Sequence, residues 1–233
     1  MESFTLPKKA ARLVILQRIE ILSPLLARIR KLFGRYIFSS FITKYFLNSN
    51  KVSDEYYKIM LKEFSTIEKY ITSNDKSFLS IGGGIGGLEL IINKKFENNI
   101  YYFIERNYVS KKVKYGWGGV VNDEAYNNLR LQKEFLNING LRDDQINIFD
   151  FDSDKLPENK FDVIISLLSL GYHYDFSLYI EYLKKVSKTN TRIIFDTINS
   201  SYFTKIFKNI EIIKSDLNTV HKSKRIICSG FIN

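Results

Sequence analysis

The sequence predicts an α/β fold: a seven-stranded, mostly parallel sheet with an antiparallel edge strand, helices on both faces and an N-terminal helical extension. Three observations lead there. From residue 77 onward, apolar runs alternate with helical stretches, the pattern of strand–helix–strand units. One of those strands runs straight into five glycines and then a helix. Before residue 52 the apolar residues recur at helical spacing, and the charge is almost entirely positive.

Length and composition bound the rest. The 233 residues are 45% hydrophobic and 26% charged, values of a globular chain, which exclude a disordered, collagen-like or fibrous protein. Cys228 is the single cysteine, so neither an internal disulfide nor a cysteine-based zinc site is available. With no signal-peptide pattern at the start, a cytoplasmic location is expected. The most apolar stretch, 36–46, is short and carries Ser39, Ser40, Thr43 and Lys44, so no membrane-spanning helix is expected.

Residues 1–51 read as helices, with Pro7 and Pro24 at first-turn or break positions. Ten Lys and Arg against Glu2 and Glu20 give this segment +8 of the net charge of +10. Basic helices with Leu, Ile and Phe between the charges suit peripheral contact with an anionic membrane, or RNA, because Lys and Arg stems cover apolar surface while their heads meet phosphates. Packing on the chain's own domain is the third option. The division expected is a basic extension over 1–51 and a domain over 52–233.

A helix over 54–72 follows, with Tyr57, Met60, Leu61, Phe64, Ile67 and Ile71 on one face, and Ser73 to Lys76 form a turn. Strands are read at 78–81, 100–104, 146–149, 161–167, 192–196, 211–214 and 226–231, with helices at 87–95, 123–139 and 177–188. The last two strands have no long helix between them, which predicts an antiparallel pair closing one edge.

Chemistry concentrates where the first strand ends. Gly82, Gly83, Gly84, Gly86 and Gly87 join strand to helix, and Glu105 closes the next strand. Glycine permits unusual backbone angles and close approach of a ligand, and a carboxylate at that second position can accept from both hydroxyls of a ribose. Glycines serving only helix–strand packing are the plainer alternative.

Two families share this opening. Gly82-x-Gly84-x-x-Gly87 with the segment 100–106 (IYYFIER) resembles the flavin-binding start of FAD-dependent monooxygenases, and keeps an FAD- or NAD-binding oxidoreductase as an alternative. No second glycine-aspartate flavin motif follows. Gly82-x-Gly84-x-Gly86 equally resembles motif I of the Rossmann-like class I methyltransferases that use S-adenosyl-L-methionine (SAM). Asp152 to Pro157 (DSDKLP) followed by Phe161 to Ser166 (FDVIIS) looks like that family's acidic loop and fourth strand, so the resemblance covers about 55–233. It implies SAM as cofactor and S-adenosylhomocysteine as product, with Glu105 on the ribose and Phe151 and Asp152 at the adenine. Arg106 and Leu167 complete the expected cofactor set with Ser80 and the glycines. Ser80 stands where the family carries an acid, so its hydroxyl or a backbone carbonyl would accept from the methionine ammonium.

Ligands of open α/β sheets lie beyond the carboxyl ends of the strands. The fourth strand runs out through Leu168, Ser169 and Leu170 into Gly171, Tyr172, His173 and Tyr174. His173 is the candidate base, since an imidazole of pKa about 6.5 takes a hydroxyl proton at neutral pH and such catalysis is worth about 10² to 10⁴-fold. Tyr172 and Tyr174 would shape the pocket or bond the acceptor; a histidine merely satisfied in a polar loop is the alternative. Tyr115 and the single tryptophan, Trp117, lie in a lysine- and glycine-rich loop suited to a wall for a sugar or an anion. Together with Tyr126 to Leu129 (YNNL) and Leu167 to Tyr174 (LLSLGYHY), this loop resembles methyltransferases of bacterial polysaccharide biosynthesis, implying O-methylation of a small-molecule or carbohydrate hydroxyl.

Metal is not expected: Asp196 and Asn199 suit a cation, but Ser166 and Ser169 occupy the companion positions. Base methylation loses ground because the fourth strand lacks an Asn/Asp-Pro-Pro-aromatic run. An RNA methyltransferase using Phe33, Tyr36, Phe38 and Phe41, and a non-catalytic scaffold suggested by Ser80, complete the alternatives.

Overall fold

The computed structural model describes residues 3–111, 125–171, 174–215 and 223–232. Its elements are α1 (Lys8–Gln17), α2 (Pro24–Phe33), α3 (Arg35–Tyr45), α4 (Ser49–Ile67), β1 (Ser77–Ile81), α5 (Gly87–Lys95), β2 (Ile100–Glu105), α6 (Leu129–Ile138), β3 (Ile146–Asp150), β4 (Phe161–Ser166), α7 (Ile180–Val186), β5 (Ser187–Thr197), β6 (Phe207–Ser215) and β7 (Lys224–Phe231).

One seven-stranded sheet runs β3-β2-β1-β4-β5-β7-β6. The first five strands are parallel, while β7 pairs antiparallel with both β5 and β6. The antiparallel strand therefore sits inside the sheet, and β6 forms the edge. Burial explains the order: Ile226, Ile227 and Cys228 of β7 are covered, whereas Lys208, Asn209, Glu211 and Ile212 of β6 face solvent and tolerate an edge.

Several boundaries move for local reasons. Pro7 precedes α1, Pro24 takes the first position of α2, and Asn48 caps α4 by accepting from the Lys51 N–H (3.0 Å), so α4 begins before residue 54. Asn128 likewise caps α6, accepting from the Leu131 N–H at 2.9 Å. The helix expected over 177–188 becomes a 3-10 turn, Phe176–Tyr179, followed by the short α7. It stops because Ser187 already pairs with Phe161 across to β4, and Thr191 Oγ1 accepts from the Lys188 N–H and donates to the Phe161 carbonyl, both at 2.6 Å.

Each face of the sheet carries its own core. One is packed under α1, α4, α5 and α6, the other under α7 and the segments around Phe176 and Phe203. The first continues across residue 51 without a break. Ala11, Val14 and Leu16 of α1 are fully buried in it, and the Phe4 ring packs 5.0 to 5.6 Å from Tyr57, Phe135 and Tyr56. Burying a Val or Leu side chain is worth about 1.5–3 kcal/mol, so α1 is held by the core itself. Across the sheet, the buried Arg225 of β7 donates to both oxygens of Asp196 on β5 (2.9 Å each), meets Glu63 Oε2 at 2.5 Å and bonds Thr66 Oγ1 at 2.6 Å, tying two strands to α4.

Among the described residues no helix is long and apolar enough to cross a membrane.

Candidate functional site

Chain direction creates the site. β1 lies between β2 and β4, so the connections leaving its two sides diverge and open a crevice at the carboxyl ends of the strands. The glycine turn enters that crevice. Gly82 and Gly84 have φ of +64° and +71°, a region costly for side-chain-bearing residues. A Cβ on Gly82 would strike Ser169, and one on Gly84 would come within 2.5 Å of the Gln17 amide. Glycine at both positions thus serves close protein packing.

Glu105, at the end of β2, turns inward. Its Oε1 accepts the Gly84 N–H at 2.7 Å, and Asn127 Nδ2 donates to the Gly84 carbonyl at 3.0 Å. Only 8% of Glu105 is exposed, and burial pushes its pKa up to about 8, against the pull of the Gly84 N–H and Asn127. Near neutral pH this group is largely a neutral acid, ready to ionise when a donor pair reaches it.

Beneath the turn lies a second carboxylate that the sequence did not single out. Glu89, in the first turn of α5, and Ser80, on β1, are both buried, and together with Arg18, Met60, Gly83, Leu88, Ile165 and Leu167 they line a cavity of about 10 Å³. Among the described residues, Ser80 Oγ and Glu89 Oε2 have no hydrogen-bond partner. Burial raises the Glu89 pKa, with nearby Ser80 and Arg18 opposing. The one signal for Glu89 in the sequence is an acid flanked by apolar Leu88, Leu90, Ile91 and Ile92; Gln17 and Arg18 gave none.

The ends of β2 and β3 meet through Arg106. Its guanidinium lies 5.1 Å from the centre of the Phe151 ring, 3.3 Å from Asp152 Oδ1 and 5.9 Å from the centre of the Tyr174 ring, and it donates to Tyr108 Oη at 3.2 Å. The Phe151 N–H bonds the Glu105 carbonyl at 2.7 Å, which fixes both strand ends in register. Asp152 is exposed, so its pair with Arg106 is worth about 1 kcal/mol or less and yields readily to a ligand.

Beyond β4 the chain is strained and tied down. Leu168 adopts φ of +57°, a cost of about 1–3 kcal/mol for a residue with a side chain, and its N–H donates to Asp196 Oδ2 at 3.0 Å. Ser166 Oγ donates to the Ile81 carbonyl (2.7 Å) and accepts the Leu170 N–H (2.9 Å), clamping β4 to β1. The Tyr174 N–H bonds the Ser169 carbonyl at 3.1 Å. Burial raises the Tyr174 pKa, with Arg106 opposing, so the phenol stays protonated at neutral pH and can donate a hydrogen bond but not serve as a base.

The structure therefore gathers Ser80, the glycines, Glu105 and Leu167 at the switch point, with Arg106, Phe151, Asp152 and Tyr174 on its β2–β3 side. Tyr172, His173, Tyr115 and Trp117 lie outside the described residues. Asp196 spends both oxygens on Arg225 and Leu168, and the described residues contain no group of three or more His, Cys, Asp or Glu able to hold a metal.

No family model matches the sequence, and no curated protein matches it. Solved structures do match. A candidate O-methyltransferase from Nostoc punctiforme is 12% identical, with 73% of this chain and 57% of that chain covered and a TM-score of 0.48. Mitomycin 7-O-methyltransferase is 16% identical over 87% of this chain and 58% of its own, with a TM-score of 0.46. A Bacillus subtilis tRNA methyltransferase is also 16% identical, over 72% and 66%, again at 0.46. The chain thus spans under two thirds of the first two. At these identities and TM-scores the likeness extends to the path of the chain and no further.

Proposed function

We propose that this chain is a SAM-dependent methyltransferase acting on a hydroxyl of a small or carbohydrate acceptor. The observation that carries the reading is the buried Glu105 carboxyl, which lies against the positive-φ glycine turn at the switch point of a sheet containing an antiparallel strand. A purely parallel dinucleotide-binding sheet would lack that strand.

The residues present fit the cofactor. Ser80 Oγ and Glu89 Oε2, buried side by side beneath the turn, have no well-formed hydrogen bond among the described residues, and both can accept from an ammonium. Glu89 then supplies the charge missing at position 80. Glu105 would hold the ribose hydroxyls, and Phe151 with Asp152 the adenine ring and its amino group. The groups now in front of these surfaces are the far ends of Gln17, whose Nε2 donates to the Tyr126 carbonyl at 2.8 Å, and Arg106, which pairs with Asp152; a ligand must displace both contacts. When bound, SAM supplies an electrophilic methyl group. The chain's own residues align the acceptor, exclude water and manage its proton: Tyr174 donates to the acceptor oxygen, and His173 takes the hydroxyl proton. The basic, aromatic loop with Tyr115 and Trp117 favours a sugar or an anionic acceptor.

Calorimetric titration with S-adenosylhomocysteine, in parallel with FAD and NAD, tests the cofactor. Micromolar binding of the homocysteine compound is expected, weakened by about 1–3 kcal/mol in Glu105→Ala; binding of FAD alone overturns the reading. His173→Ala is expected to lower turnover by about 10² to 10⁴-fold with cofactor affinity unchanged, and equal turnover would remove His173 from the chemistry.

A further inference from the structure

Helices α2 and α3 form a hairpin whose outward face touches neither core. Only Arg30 of α2, and Phe38 and Ser39 of α3, are buried. On the other side, Leu32, Ile37, Phe41, Tyr45 and Phe46 are 53–82% exposed. Ile37, Phe41 and Tyr45 recur every fourth residue, so they form one stripe along α3. Phe41, Tyr45 and Phe46 pack on one another with ring centres 5.2 to 6.4 Å apart. Isolated apolar residues on a surface are ordinary; a contiguous stripe of this kind marks an interaction site.

Charge identifies the partner. No Asp or Glu occurs from residue 21 to residue 53, while Arg28, Lys31, Lys44 and Lys51 are exposed, Lys44 over the Tyr45 ring. Two cations turn inward: Arg30 donates to the Leu16 carbonyl at 3.0 Å, and the half-buried Arg35 lies over the Tyr126 ring. A second copy docking through this face would bring like charges together with no acid from the hairpin to offset them. Single-stranded RNA would match the cations and stack on Phe33, Phe41, Tyr45 and Phe46, but it would leave aliphatic Leu25, Leu32 and Ile37 in water. An anionic bilayer satisfies both features at once, with acyl chains for the stripe and lipid phosphates for the rim. At 10 and 11 residues the two helices are far too short to cross a hydrocarbon core of about 30 Å, so they must lie in its plane.

We propose that the α2–α3 hairpin is a docking surface for an anionic lipid bilayer, with Ile37, Phe41, Tyr45 and Phe46 entering the headgroup–acyl boundary and Arg28, Lys31, Lys44 and Lys51 on lipid phosphates. The inference stands on the hairpin alone and does not depend on the proposed methyl transfer.

The test is sedimentation of the full chain with phosphatidylcholine vesicles, with and without phosphatidylserine, together with the fluorescence of Tyr45→Trp. Binding to the phosphatidylserine vesicles only, a blue shift of the new tryptophan's vesicle-dependent emission, and loss of about tenfold or more in affinity in Ile37→Ser/Phe41→Ser and separately in Lys31→Glu/Lys44→Glu are expected. Both double variants change exposed side chains and should retain the parent far-ultraviolet circular dichroism. Absence of vesicle binding by the parent chain, or binding that both double variants leave intact, overturns the proposal. Concentration-dependent dimerisation lost in Ile37→Ser/Phe41→Ser, without vesicle binding, would reassign the face to a second copy. Retardation of single-stranded RNA without vesicle binding would reassign it to nucleic acid.

Discussion

The crevice beside β1 and the α2–α3 hairpin use nearly the same side chains to opposite ends. Both combine aromatic rings with cations: Arg106 lies over Phe151 in the crevice, and Lys44 lies over Tyr45 on the hairpin, each about 5 Å from the ring centre. In the crevice Glu105 is buried and holds its proton to about pH 8, and among the described residues two buried oxygens beneath the turn have no hydrogen-bond partner. On the hairpin the same kinds of group stand in water. Their net energy is small until another surface displaces that water. Chemistry belongs where burial has already perturbed the groups, and docking belongs where it has not.

The largest expected effect tests the buried side. Asp196→Ala leaves Arg225 buried with only Glu63 as its charged partner, and should cost about 3–5 kcal/mol in urea unfolding. A loss below about 1 kcal/mol would mean the buried network behaves like a surface pair. Next, Leu16→Ala in α1 should cost about 2–5 kcal/mol, whereas Ile37→Ala in α3 should change stability by about 0.5 kcal/mol or less. Equal losses would place both helices on one footing and erase the contrast.

A further effect is one of pH. The folded pKa of Glu105, about 8, lies above the ordinary value near 4.3 of an unfolded glutamate. Between those values the folded chain keeps a proton that the unfolded chain has lost, so this group's contribution to stability falls as pH rises through that window and is fully present only below it. Urea midpoints from about pH 5 to about pH 8 should therefore fall more steeply in the parent than in Glu105→Gln, which is also the more stable at the upper end. Parallel pH curves would show that Glu105 is ionised in the folded chain.

Some of this was legible in one dimension. The strand, glycine turn, helix and acid from Phe78 to Glu105 are contiguous, and their signals agree: glycine where φ is positive, apolar periodicity immediately after it, and a carboxylate at a strand end. The helix expected over 87–95 is α5 to the residue. Where distant pairing decides, local signals failed. Residues 187–191 continue the periodicity of α7 yet belong to β5, because the edge of β4 was there to be paired. A short hairpin predicts that β6 and β7 run antiparallel, but no local rule says which of them sits against β5.

By itself, then, the sequence determined the layered α/β class, the place of the glycine turn and the carboxylate that answers it, because each follows from residues close together in the chain. Only the tertiary structure decided that Glu89 lies beneath that turn beside Ser80, that Gln17 covers it, and that α1 is core while α2 and α3 are surface. Helical periodicity marks an apolar face without saying what it meets, and burial is a property of both partners.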